Sequence, residues 1–290
     1  MWDHYAPAAR GARAATMGDA VWFEPDNMVL TLAQAAAIAL PAAGLPAWTR
    51  RFRTGAWALV LPLSIVVVVV AIAAIPTTAD VLTWVALLLV PPGCALALGW
   101  AARGARPWLA VLAVPLLAIA WASPGTRAGQ VATTVLILGS AVTLGRLLAG
   151  AAPLVLLKAG VIAMAAVDAY LVFSGQLAAP NAALIAAEPG LGLPQLQSAG
   201  FGFASLGYGD FFAAAVVGGV LAAERAPQLW PAVAMVAVSL AWDQLFLVYD
   251  LLPATIPPAV VLIGVEVWKA WRARREADRE PVREAVPSVR

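Results

Sequence analysis

Apolar residues run along this chain in long blocks, broken by short polar or basic patches. Nine blocks reach or approach membrane-spanning length, near residues 28–48, 55–75, 79–101, 107–122, 128–149, 153–174, 202–223, 229–249 and 253–271. A hydrocarbon core about 30 Å thick asks for roughly 20 such residues per helix. The fourth block is short, and the third contains Pro91-Pro92. Lipid offers no partner to an open sheet edge, so each block is predicted to be a helix. Trp48, Trp57, Trp100, Trp108, Trp121, Trp230, Trp268 and Trp271 fall near the block ends, as expected of interfacial anchors. The pattern predicts an all-α, polytopic membrane protein with nine transmembrane helices.

Composition agrees with the pattern. Of 290 residues, 62% are hydrophobic and 12% charged, where a soluble domain carries about a quarter charged. The placement of the cations says more than the net charge of +2. One side collects Arg50, Arg51, Arg53, Arg103, Arg106, Arg146, Lys158 and Arg225, together with Lys269, Arg272, Arg274, Arg275, Arg279, Arg283 and Arg290 of the C-terminal region. The other side has Arg10, Arg13 and Arg127. The positive-inside rule then puts the C-terminus in the cytoplasm and the N-terminus outside a cell membrane. The chain divides into an extracytoplasmic segment 1–27, a bundle of five spans over 28–149, four further spans over 150–271, and a basic cytoplasmic tail, 272–290. The loop at 175–201 lies outside, is too broken to span, and is long enough to move. The tail is expected to extend the last helix and then fray.

Several chemistries are excluded. His4 is the only histidine and Cys94 the only cysteine, so no zinc-peptidase motif, serine–histidine dyad or internal disulfide can form. No metal, organic cofactor or nucleic-acid partner is expected. The first apolar block follows the acidic Asp19, Glu24 and Asp26 rather than a basic n-region, so no cleaved signal peptide is expected.

Two carboxylates stand out against this background. Asp168 lies in the sixth block, about six residues before its outer end, and Asp210 lies about eight residues into the seventh. An ionisable group inside a span costs roughly 2.5–3.5 kcal/mol on insertion scales and is a functional hypothesis by default. At 1.5 Å per residue both sit on the order of 10 Å below the outer boundary. Antiparallel neighbours at matched depth can bring the two together. Carboxylates a few ångströms apart share a proton, and such a pair can act as general acid and general base on a peptide bond. Gly207 and Gly209 strip side chains from beside Asp210, which admits a neighbouring helix or a substrate backbone. Leu252-Pro253-Ala254-Thr255-Ile256-Pro257-Pro258 opens the ninth block with more prolines than a helix start needs, which suits a segment facing a water-filled cavity.

Together these pieces resemble the intramembrane aspartyl proteases of the presenilin and signal peptide peptidase family. Val167-Asp168-Ala169-Tyr170 stands where that family has its first aspartate, usually after Tyr. Gly207-Tyr208-Gly209-Asp210 matches its Gly-x-Gly-Asp motif. Pro253-Ala254-Thr255 stands where it has Pro-Ala-Leu. The order, span numbers and side of the membrane agree over about residues 150–265. The resemblance implies a presenilin-like fold and an Asp168/Asp210 dyad that cleaves transmembrane helices or signal peptides. It implies that Gly207, Tyr208, Gly209, Pro253, Ala254 and Thr255 shape the substrate site. The orientation read from Arg and Lys is that of signal peptide peptidase rather than presenilin. Substrate helices must unwind first, and the 175–201 loop or the Pro253 segment can hold the unwound strand by main-chain pairing.

Other residues and readings stay open. Asp250 reads as a hydrated boundary residue, and Asp243 as an acid paired with a polar neighbour. Lys158 is expected to snorkel to the interface. Tyr170 and Tyr208 are expected to pack, or to line the substrate groove. The rival function is a proton- or cation-coupled transporter or channel, although no internal repeat is found. Prepilin peptidases also use two aspartates and Gly-x-Gly-Asp but lack a Pro-Ala-Leu-like segment. A homologue that binds helices without cutting them is the third possibility.

Overall fold

A computed structural model of the chain describes residues 25–43, 47–75, 77–249 and 251–278. His4, Arg10, Arg13, Asp19, Glu24, Asp250, Arg279, Arg283 and Arg290 lie outside the described residues, as do the side chains of Trp48 and Arg50.

Of the described residues 78% are helical. In chain order the helices are α1 (Pro25–Ala39), α2 (Gly55–Ala74), α3 (Thr78–Ala101), α4 (Pro107–Ala122), α5 (Arg127–Ala151), α6 (Leu154–Phe173), the short α7 (Ala178–Ala186), α8 (Tyr208–Ala223), α9 (Leu229–Leu247) and α10 (Ile256–Ala277). Each of the nine apolar blocks therefore contributes a helix. Five of these, α2, α3, α5, α6 and α9, are long and apolar enough to cross a membrane. At 15 and 16 residues, α1 and α8 are about 23 Å long. The last helix, α10, runs 22 residues to Ala277 and ends in a charged, exposed stretch.

The layering follows from sequence. The α2 block Val66-Val67-Val68-Val69-Val70 is apolar on every face, and Val66, Val67 and Val70 are exposed, as suits a helix with lipid around it. The central helix α8 is instead built from small residues. Every residue from Phe211 to Ala222 is buried, because α8 packs against α1, α5, α6 and α10 at once. Its glycines set those distances. A Cβ on Gly218 would sit 2.6 Å from the carbonyl oxygens of Ala37 and Ile38 in α1, and one on Gly219 would sit 2.6 Å from the Gly145 carbonyl in α5. Lipid supplies no hydrophobic drive between helices, so such close approach is what holds them. A side chain at either glycine would force α8 away from its neighbours.

The structure departs from the sequence expectation at two places that matter for the site. The seventh block does not become helix at residue 202. Ser198–Phe201 and Ala204–Gly207 form a two-stranded antiparallel hairpin (β1 and β2), with Ser198 opposite Gly207 and Phe201 opposite Ala204. Gly202 makes the turn with φ 58°, a conformation glycine adopts without strain. The helix begins only at Tyr208. The 175–201 stretch, expected as a loop, contains α7 and the first strand. The Gln195 and Gln197 side chains donate to the carbonyls of Leu184, Ile185 and Ala187, tying the hairpin's approach to α7.

Candidate functional site

Starting α8 at Tyr208 puts Asp210 in its first turn rather than eight residues deep. Gly207 is the residue before the helix, and its N–H donates to Asp210 Oδ2 at 3.0 Å. This is half of a capping box: the third helical residue reaches back to an otherwise unpaired N–H. A Cβ on Gly207 would meet Asp210 Oδ2 at 3.2 Å, so glycine here keeps the carboxylate uncrowded. A Cβ on Gly209 would make only ordinary contact with Met164 Cε at 3.8 Å, so on the protein side this position is not crowded.

Asp168 sits five residues before the end of α6 and is 6% exposed. Its Oδ2 accepts a 2.6 Å hydrogen bond from Thr255 Oγ1. Thr255 is itself buried and directly precedes α10. Asp168 and Asp210 line the same cavity. The expected convergence of α6, α8 and the Pro253 segment is therefore present, with Asp210 in the first turn of its helix rather than well inside it.

The cavity measures about 1680 Å³. Gly207, Tyr208, Gly209, Ala254 and Thr255 line it, together with both aspartates. Pro253 does not line it: the ring is buried, and its carbonyl accepts from Ile256 N–H at 3.4 Å. Tyr208 is tied to α5, its hydroxyl sharing a 2.9 Å hydrogen bond with Ser140 Oγ. Tyr170 is 65% exposed on the outside of α6 and takes no part in the site.

One residue essential to the geometry was missed in the sequence. Gln34 of α1 is buried, 4% exposed. Its amide donates to the Asp210 carbonyl at 3.2 Å and to the Ala254 carbonyl at 3.3 Å. A single side chain thus joins the helix that carries Asp210 to the segment whose Thr255 holds Asp168. Two turns earlier on α1, Asn27 Nδ2 donates to Asp243 Oδ2 at 2.6 Å, which supplies the polar neighbour expected for Asp243.

The hairpin beside the dyad is anchored at its turn. Arg127 Nη1 lies 2.5 Å from Asp26 Oδ1, and its guanidinium sits 4.6 Å from the centre of the Phe201 ring. Gly202 N–H donates to Gln130 Oε1 at 3.2 Å, and Tyr208 N–H to the Gln197 carbonyl at 2.9 Å. No protein-family model, curated protein or solved structure matches this chain, so the site is argued from its own residues.

The far ends of the same helices look different. Lys158, expected to snorkel, is ion-paired. Its Nζ lies 2.5 Å from Glu224 and 2.9 Å from Glu266, while Lys269 pairs with both of those carboxylates in turn. Two lysines and two glutamates so close a ring across α6, α8 and α10.

Proposed function

We propose that this protein is an intramembrane aspartyl protease, similar to the presenilin and signal peptide peptidase family, that hydrolyses peptide bonds within transmembrane helices or signal peptides. The observation that carries the reading is the convergence of Asp168 and Asp210, from two different helices, on one large cavity within an apolar bundle. One carboxylate takes a proton from a water molecule as it attacks the scissile carbonyl. The other donates its proton to the carbonyl oxygen. As the resulting diol collapses, the first passes the proton it took from water to the leaving nitrogen, and the second takes back a hydroxyl proton, which restores the starting state. The polar atoms already committed are Asp168 Oδ2, held by Thr255, and Asp210 Oδ2, held by Gly207. The other oxygen of each carboxylate carries the chemistry.

In this reading α1, α4, α8 and α10 complete nine spans in a presenilin-like arrangement. The hairpin end faces outward and the Lys158 end faces the cytoplasm of a multi-pass cell-membrane protein. Substrate helices enter with their N-termini cytoplasmic. They unwind beside the β1–β2 hairpin, whose main chain is the natural partner for an extended strand.

The test is cleavage of a model transmembrane peptide by purified protein and by Asp210→Ala. Cleavage by the parent, lost at least a hundredfold in the variant, supports the protease. Absence of cleavage across several peptides and pH values, with proton- or cation-driven flux in liposomes, sinks it in favour of a transporter.

A further inference from the structure

The wall of the cavity formed by α9 is patterned. Ser239, Trp242, Asp243 and Phe246 all line it, and their spacing of i, i+3, i+4 and i+7 places them on one helix face. This face is polar and aromatic where a span is expected to be apolar. Ser239 is 5% exposed, and its Oγ has no hydrogen-bond partner among the described residues; the Trp242 Nε1 is likewise buried and unpartnered. Both residues line the cavity while these two polar atoms are closed off behind its surface, and unpaired polar atoms of this kind call for an explanation.

The charge of the cavity says what that ligand carries. Four charged residues line it, Asp168, Glu188, Asp210 and Asp243, and all are carboxylates. Outside the cavity four of the described carboxylates have cations: Asp26 pairs with Arg127, Glu224 and Glu266 with Lys158 and Lys269, and Glu276 with Arg272. Asp243 has only the uncharged Asn27. A carboxylate flanked by indole and phenyl rings on one helix face is the chemistry that receives an ammonium or guanidinium group.

Its position is fixed by α1. Gln34 touches the Asp210 backbone, and Asn27 touches Asp243. These two residues are seven apart on one helix, so Asp243 lies about 10 Å from the level of Asp210, towards the hairpin end. That distance is roughly three residues of extended chain. Resting on the protease reading, we propose that Asn27, Ser239, Trp242 and Asp243 form a substrate subsite that binds a Lys or Arg side chain about three to five residues from the scissile bond, on the hairpin side. Ser239 lies one turn deeper than Asp243 on the same wall.

The experiment uses the full chain in lipid nanodiscs and transmembrane peptides identical except at one position. That position carries Lys, norleucine or Glu and is walked from one to seven residues from the cleavage point. Binding is measured by fluorescence anisotropy and cleavage separately by mass spectrometry. The parent protein is expected to bind the Lys peptide about tenfold more tightly than the norleucine peptide at positions three to five. Asp243→Asn levels that preference, and Asp243→Lys turns it towards Glu. Equal affinity for Lys and norleucine at every position in the parent overturns the subsite, as does a preference that survives Asp243→Asn. The walk on the parent decides the matter even where an Asp243 variant fails to fold. Cleavage without a Lys preference removes the subsite and leaves the protease standing; an Asp243-dependent Lys preference without cleavage of any peptide does the reverse.

Discussion

The helices α6, α8 and α10 meet twice, and the two meetings are built on opposite principles. At one end Lys158, Glu224, Glu266 and Lys269 alternate in sign and neutralise one another. At the other, Asp168 and Asp210 share a cavity lined by no cation, and their partners are a hydroxyl, a backbone N–H and, through main-chain carbonyls, the Gln34 amide. Along α6 the two ends are ten residues apart, about 15 Å. A closed ion ring in a low-dielectric setting holds helices in register. It is chemically silent, because every charge is used. Carboxylates held only by neutral donors are poor glue and keep their proton chemistry. The same three helices are thus fastened at one end so that the other can stay underneutralised.

The most damaging way to break this contrast at the dyad, apart from removing an aspartate, is Gln34→Leu. The variant keeps the volume and deletes both bridging hydrogen bonds. The Asp210 and Ala254 carbonyls remain, but nothing from α1 sets their spacing. A misplacement of about 1 Å at reacting groups costs on the order of a hundredfold. The expected outcome is a kcat lowered about a hundredfold with KM changed less than threefold, and partial recovery in Gln34→Asn. A parallel rise in KM, or full activity, would show that α1 only packs here.

Breaking the ring instead tests stability. Lys158→Met leaves Glu224 and Glu266 sharing one lysine within a part-buried cluster. Buried pairs cost about 3–5 kcal/mol when one partner goes, and the exposure of these side chains, 16–38%, lowers that to about 2 kcal/mol. Thermal unfolding in detergent is expected to shift down by several degrees, while specific activity of the surviving folded protein stays within threefold. Loss of activity at unchanged stability would mean that the ring is coupled to the dyad rather than a fastening.

How much of this was visible in sequence differs between the two ends for a physical reason. Hydropathy located all nine helical blocks, because lipid enforces long apolar runs. It also singled out Asp168 and Asp210, since a carboxylate in such a run is conspicuous. The hydropathy of Phe201-Gly202-Phe203-Ala204-Ser205-Leu206 is the same for strand and helix, so the apolar pattern does not separate the hairpin from the helix that starts at Tyr208. The glycines at 200 and 202 were the available signal for a break. Gln34 sits as one uncharged residue in an alanine-rich run, and only tertiary packing gives it two carbonyls to join. Lys158 was read alone because Glu224 and Glu266 are distant in the chain and lie on other helices.

The finest test concerns Thr255, where this chain departs from the Pro-Ala-Leu pattern it resembles. Leucine would offer Asp168 only methyl groups. Threonine donates a 2.6 Å hydrogen bond to its Oδ2 and is 2% exposed. A hydrogen bond to a charged group contributes about 1.5–3 kcal/mol, and some of that is recovered when water in the cavity replaces the hydroxyl. Thr255→Val, which preserves shape and removes the donor, is therefore expected to lower kcat about tenfold with little effect on folding. Thr255→Ser is expected to restore most of that loss by returning the hydroxyl. Should Val and Ser variants behave alike, the Thr255 side chain fills space as leucine would, and the backbone N–H of residue 255 is what holds the Asp168 carboxylate.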